Sequence, residues 1–250
     1  MSFSRLQLLF VLLLFVGISN HVLIVPHLLG AAKRDAWISV LVAYGILIAW
    51  ALICSFIFRK NPQRKSLYDW LEERTGKKVS YLILTFFFLY FIVIGFISFF
   101  DLIVSVKIYF IPLTPTWFVA LPFLLICIWT AIKGMTAIVY SSAIILPIVW
   151  MLGHFVAFTT MDNKDYSYLL PILADNEASL IRGVLVVLGG SVDLLVLFVL
   201  QQYVNKPISY KYLFILITLL TGLILGPTIG SLAAFGPNVA ADMRFPAFEQ

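Results

Sequence analysis

The chain has 250 residues, of which 62% are hydrophobic and 12% charged, with a formal net charge of +5 and a mean hydropathy of +1.03. A soluble domain of this length carries roughly 45–50% apolar and about 25% charged residues, so the composition excludes an ordinary soluble protein and marks an integral membrane protein. The positive balance does not point to nucleic acid, because the Lys and Arg residues sit in connectors between apolar runs.

A helix needs about 20 apolar residues, within a range of about 17–25, to cross the hydrocarbon core. Seven stretches qualify: Leu6–Leu29, Trp37–Phe58, Val79–Val106, Thr116–Ile132, Ala137–Phe158, Leu180–Tyr203 and Tyr212–Ala234. The first exceeds the roughly 7–15 residues of a signal-peptide core and is read as a retained span. The fourth is short and holds Pro122. The fifth holds Pro147, an expected kink. All seven are apolar nearly all round, and no periodicity separates a lipid face from a protein face. Cys54 and Cys127 lie singly inside spans, as small buried residues do.

Cytoplasmic connectors carry the Lys/Arg excess. Alternating the spans puts Arg5, the 59–78 connector, Lys133, Lys206 and Lys211 on one side, with 11 of the 17 basic residues. The other side holds Lys33, Arg34, Lys107, Lys164, Arg182 and Arg244 and most of the acids. The N-terminus is therefore expected in the cytoplasm. Within the 59–78 connector, Ser66 is placed to cap a helix with Asp69 three residues on. Leu67, Trp70 and Leu71 then share a face, and Gly76 is a stop signal. A short interfacial helix on the cytoplasmic surface is expected there, with a solvated connector as the alternative reading.

Two spans carry polar, helix-weakening middles. Span six holds Gly189-Gly190-Ser191-Val192-Asp193; span one holds Gly17-Ile18-Ser19-Asn20-His21, with Pro26 beyond. Gly costs about 1 kcal/mol relative to Ala in a helix, and an acid at mid-span costs roughly 2.5–3.5 kcal/mol on insertion scales. Irregular backbone at that depth is tolerated only where it is buried in protein or lines a watery cavity. Span one enters from the inside and span six from the outside, so the two breaks are related as in an inverted repeat of five plus five helices. Paired breaks of this kind are the best pointer in a sequence to a transporter's midplane site. Broken helix ends offer N–H groups to a carboxylate and carbonyls to a cation or an ammonium group, and an amino acid carries both.

The ligand-binding candidates are Gly17, Ile18, Ser19, Asn20, Gly189, Gly190, Ser191 and Asp193, joined by Tyr90 and Gly95 near the middle of span three. Asp193 leads, because an acid inside the membrane is functional by default. His21, His27 and His154 are weaker, and Asp101 lies near the outer end of span three. Catalysis finds no support: the chain has no zinc-ligand pair on one helix face, no Gly-x-Ser-x-Gly elbow and no phosphate cradle. No enzyme activity, metal or cofactor is expected.

The chain resembles the spore germination permease family, the integral B subunits of GerA-type germinant receptors in the amino acid–polyamine–organocation superfamily. The likeness runs along the whole chain. It includes Ser4-Arg5-Leu6-Gln7, Ala32-Lys33-Arg34-Asp35-Ala36-Trp37, Pro62, Ser66-Leu67, Leu71-Glu72, Gly76-Lys77, Thr114-Pro115-x-Trp117, Gly236-Pro237 and Pro246. The resemblance implies an all-α integral membrane protein with a LeuT-like inverted-repeat fold and a ligand site between broken first and sixth helices. It implies a sensory subunit that binds a small nutrient germinant, expected to be an amino acid, and triggers germination. It also implies partners, an A subunit and a lipoprotein C subunit, in the inner membrane of the spore. The alternative reading is a secondary amino acid transporter coupled to H+ or Na+. The family pattern has about ten spans, so this chain is expected to be one transmembrane domain over 1–250. Its first five-helix repeat covers 6–159 and an incomplete second repeat covers 178–250, from a fragment or a truncated product.

Overall fold

The computed structural model describes residues 2–18, 20–173, 176–246 and 249, with the side chains of Ile18 and His21 left aside. Among these residues the regular structure is helical: α1 (Arg5–Leu12), α2 (Val25–Ala32), α3 (Ala36–Arg59), α4 (Leu67–Thr75), α5 (Lys77–Tyr109), α6 (Thr116–Lys133), α7 (Met135–Thr159), α8 (Glu177–Gly190), α9 (Val196–Leu200) and α10 (Tyr210–Asp242). Six helical stretches of the described residues are long and apolar enough to cross a membrane. The first, Arg5–Arg59, contains two of the spans expected from sequence. They part at Lys33, whose φ of 44° and ψ of −120° no helix accommodates.

Local chemistry explains the ends. Ser4 and Gln7 form a reciprocal capping box on α1: the Gln7 N–H donates to Ser4 Oγ (3.1 Å) and the Ser4 N–H to Gln7 Oε1 (2.9 Å). Ser66 Oγ accepts from the Asp69 N–H (3.1 Å), and Gly76, at φ 78°, ends α4 where a left-handed residue is needed. The connector helix expected between spans two and three is thus present. Pro122 and Pro147 lie inside α6 and α7 without ending them. α10 is interrupted at Gly236 (φ 75°, ψ 163°), with Pro237 opening the stretch that follows. The seventh apolar run therefore continues helically beyond Ala234.

The chain divides into two compact units, Met1–Arg64 with Ser142–Gln250, and Lys65–Ser141. In the second, α4 packs on α5 and α5 on α6, with Tyr68 and Tyr81 5.4 Å apart at the α4–α5 contact. In the first, α2, α3, α8 and α10 pack together. Their buried core includes Val25, Leu28, Ala32, Ala36, Val40, Ala43, Val184, Val187, Ile224 and Leu232. Lipid tails are as apolar as these side chains, so close packing of small residues holds such helices together. The buried residues of α3 are Ala36, Ser39, Val40, Ala43, Leu47, Ala51, Cys54, Ser55 and Phe58. This is a helical stripe of mostly small side chains, and it corrects the expectation that no protein face is marked. The mark is size, not hydropathy. Gly183 of α8 sits where an added Cβ would come within 2.7 Å of Ala32 Cβ and 2.8 Å of Ser39 Cβ.

The N-terminus is tied to the connector between α9 and α10. The Phe3 N–H donates to the Tyr203 carbonyl (2.6 Å) and the Asn205 N–H to the Phe3 carbonyl (2.7 Å). Arg5 reaches the Pro207 carbonyl and Arg64 the Val204 carbonyl.

Candidate functional site

Span one is rewound in its middle. Leu13–Ile18 and Asn20–Ile24 are π-helical, on either side of Ser19, which lies outside the described residues. Pro26, in the first turn of α2, has no N–H, and its ring crowds the carbonyl four residues back. The wider i→i+5 winding relieves that turn. Single π turns inside α-helices recur at functional sites.

Span six changes pitch in the opposite sense. α8 ends at Gly190, Ser191–Leu195 tightens to a 3-10 helix, and α winding resumes at Val196. The break expected from Gly189-Gly190 is therefore a change of winding rather than an opened loop. Backbone groups foreseen as free there are in use: the Ser191 N–H reaches carbonyls of the preceding turn, and Ser191 Oγ donates to the Val187 carbonyl (2.8 Å).

The two rewound segments meet. Ser191–Leu195 runs against Leu13–Ile18, and α8 against Asn20–Ile24. A Cβ on Gly190 would lie 2.7 Å from Asn20 Oδ1 and 2.6 Å from Ile24 Cγ1, so only glycine permits this approach. Gly17 faces α10, where a Cβ would lie 2.7 Å from Leu223 Cδ1. Gly189 points into open space. Asn20 and Asp193 are each 2% exposed, and Ser191 is also buried. Asn20 Oδ1 has no hydrogen-bond partner among the described residues, a costly state for a buried amide.

Of the candidates, the structure brings Asn20 and Gly190 into contact and places Ser191 and Asp193 on the adjoining segment. The Ile18 side chain lies outside the described part of the structure. Tyr90 and Gly95 lie in the other unit, on α5: Tyr90 packs edge-on to Phe91 at 5.4 Å, and Gly95 is exposed, with nothing within 4 Å of an added Cβ. His27 and His154 are exposed, and His154 stacks on Trp150 with Nδ1 2.9 Å from its carbonyl oxygen.

Sequence reasoning missed the buried hydroxyls of α10. Thr221, Thr228 and Ser231 are buried, and Thr228 Oγ1 donates to the Ile224 carbonyl (2.7 Å). Their spacing inside an apolar run, beside Pro227, was the available signal. A separate cleft of about 310 Å³ lies between the end of α7 and the middle of α10, with Gly222 and Gly226 in its wall and Lys164 and Tyr166 contributing polar groups. Burial pulls the Lys164 ammonium below its ordinary pKa.

Membrane-length helices, two of them rewound around buried polar groups, define a polytopic helical membrane protein. A spore germination protein family model matches residues 3–249. Spore germination protein XB of Bacillus anthracis is 34% identical over 244 residues, covering 98% of this chain and 68% of that protein. Spore germination protein YndE of Bacillus subtilis (strain 168) is 23% identical over 173 residues, covering 69% of this chain and 47% of that protein. Putative spore germination protein YfkT of the same strain is 25% identical over 221 residues, covering 88% and 60%. The chain belongs to this spore permease family of germination proteins, and it spans about half to two thirds of the length of these relatives. No solved structure matches it.

Proposed function

We propose that this chain is the permease-like subunit of a germinant receptor, and that it senses a small nutrient, expected to be an amino acid, at a midplane site between spans one and six. The observation that carries the reading is the approach of Asn20 to Gly190, where two rewound helices pack a buried amide beside the segment that holds a buried acid. Buried acceptors of this kind suit the ammonium group of a zwitterion, and the rewound backbone of span one is the proposed partner of its carboxylate. Asp193, Asn20, Ser191 and the backbone at Gly17–Ser19 and Gly189–Gly190 are the proposed contacts; Tyr90 and Gly95, on α5 of the other unit, are not among them. The reading includes an inverted five-plus-five repeat, a cytoplasmic N-terminus, the inner membrane of the spore, and an A subunit and a lipoprotein C subunit as partners.

The test places Asp193→Asn and Gly190→Leu in the full-length protein in spores. The reading requires that both blunt the response to the cognate nutrient while the protein still reaches the membrane. An unchanged response to every nutrient overturns it. Radiotracer uptake into proteoliposomes separates sensing from transport: accumulation driven by an H+ or Na+ gradient assigns the same site to a transporter.

A further inference from the structure

The connector between α7 and α8 is held down at separated points on the face of the first unit opposite the N-terminus. The Asp165 N–H donates to the Ala233 carbonyl (2.8 Å). The Tyr168 ring lies against Gly236, 3.7 Å from where a Cβ would stand, and Leu169 packs on the core formed by α2, α3, α8 and α10. Leu173, at φ 56°, donates its N–H to Asp35 Oδ1 (2.9 Å).

Asp35 is the unusual member. It follows the turn at Lys33, is fully buried, and is reached from a residue far along the chain. Its Oδ2 has no partner among the described residues, and the neighbouring Arg34 Nε and Trp37 Nε1 are also buried without one. A buried carboxylate with one oxygen unsatisfied is held at a cost that water would relieve on opening. The unsatisfied oxygen lowers the cost of releasing the tie, because water completes its bonds on opening.

We propose that residues 161–173 form a strap over this end of the helix core, and that Asp35 is its latch. Lifting the strap breaks the Leu173–Asp35 hydrogen bond, hydrates the carboxylate and uncovers the ends of α2, α3 and α10. Asp35 is here a positioning residue: it acts on the strap through a backbone N–H. The inference stands apart from the ligand site, because it needs no nutrient to be bound.

The test is hydrogen–deuterium exchange on the full chain in lipid nanodiscs. Asp35→Ala is expected to raise exchange several-fold in 164–173 and to leave 181–188 of α8 at the wild-type rate. Asp35→Asn keeps an acceptor without the charge and is expected to give a smaller rise in the same peptide. Should Asp35→Ala not fold, Asp35→Asn decides alone. Exchange in 164–173 equal to wild type in every folded variant, or a rise spread equally through α8 and α10, overturns the latch.

Discussion

Gly190 of span six rests directly on Asn20 of span one: a Cβ added to the glycine would stand 2.7 Å from the amide oxygen. Gly189, one residue earlier, has nothing within 4 Å of the same hypothetical atom. Adjacent glycines in one helix thus answer to different constraints, and the first prediction follows from the difference.

Gly189→Ala gains helix propensity without meeting a neighbour and is expected to stabilise the protein by about 0.5–1 kcal/mol. Gly190→Ala gains the same propensity but overpacks against Asn20 and Ile24, a loss of about 1–3 kcal/mol. The net change is a destabilisation on the order of 1 kcal/mol. Thermal unfolding of both variants in detergent measures the contrast; equal shifts in Tm would contradict the packing seen at Gly190.

Asn20 carries a buried acceptor without a partner among the described residues. Leaving such a group unsatisfied costs about 1–3 kcal/mol, and Asn20→Leu, which keeps the branched shape with bulkier methyls, removes that cost against an overpacking penalty of similar size, so stability is expected to stay nearly unchanged. If Asn20 takes part in nutrient recognition, the same variant loses the germination response. Stability that falls by several kcal/mol would show that the amide serves the fold.

The cap on α4 is local. Ser66→Ala removes the acceptor for the Asp69 N–H and is expected to cost about 1 kcal/mol. The loss should be confined to faster amide exchange over 67–75. Exchange in α8 and α10, which belong to the other compact unit, should not change.

Asp165 is exposed, and its carboxyl is held below the ordinary value by hydrogen bonds from Ser167, including the backbone N–H at 2.9 Å. A folded pKa below the unfolded one means that the contribution is present above about pH 3.9 and is lost as pH falls through the lower folded value. Protection of the Ser167 amide should therefore decline on acidification in that window. In Asp165→Asn the decline should be absent, which NMR-detected exchange at a series of pH values would show.

How much of this was legible beforehand depended on the range of the forces involved. Composition and run length alone determined that the chain crosses a membrane, because crossing is a matter of local hydropathy and length. Ser66, Asp69 and Gly76 announced α4, since a cap and its partner lie within one turn. The weak middles at Gly17–Asn20 and Gly189–Asp193 were visible as residues that a uniform apolar helix avoids. Their form was not. π winding on one side and 3-10 winding on the other depend on what each segment packs against, and neither Pro26 nor Gly190 specifies that alone. Asp35 shows the limit most clearly. As a residue it stood in a recognisable segment before span two, but its hydrogen-bond partner, Leu173, lies far along the chain. Only the tertiary structure joined them, because a carboxylate can accept from any N–H that folding delivers, and sequence neighbours do not reveal which one arrives.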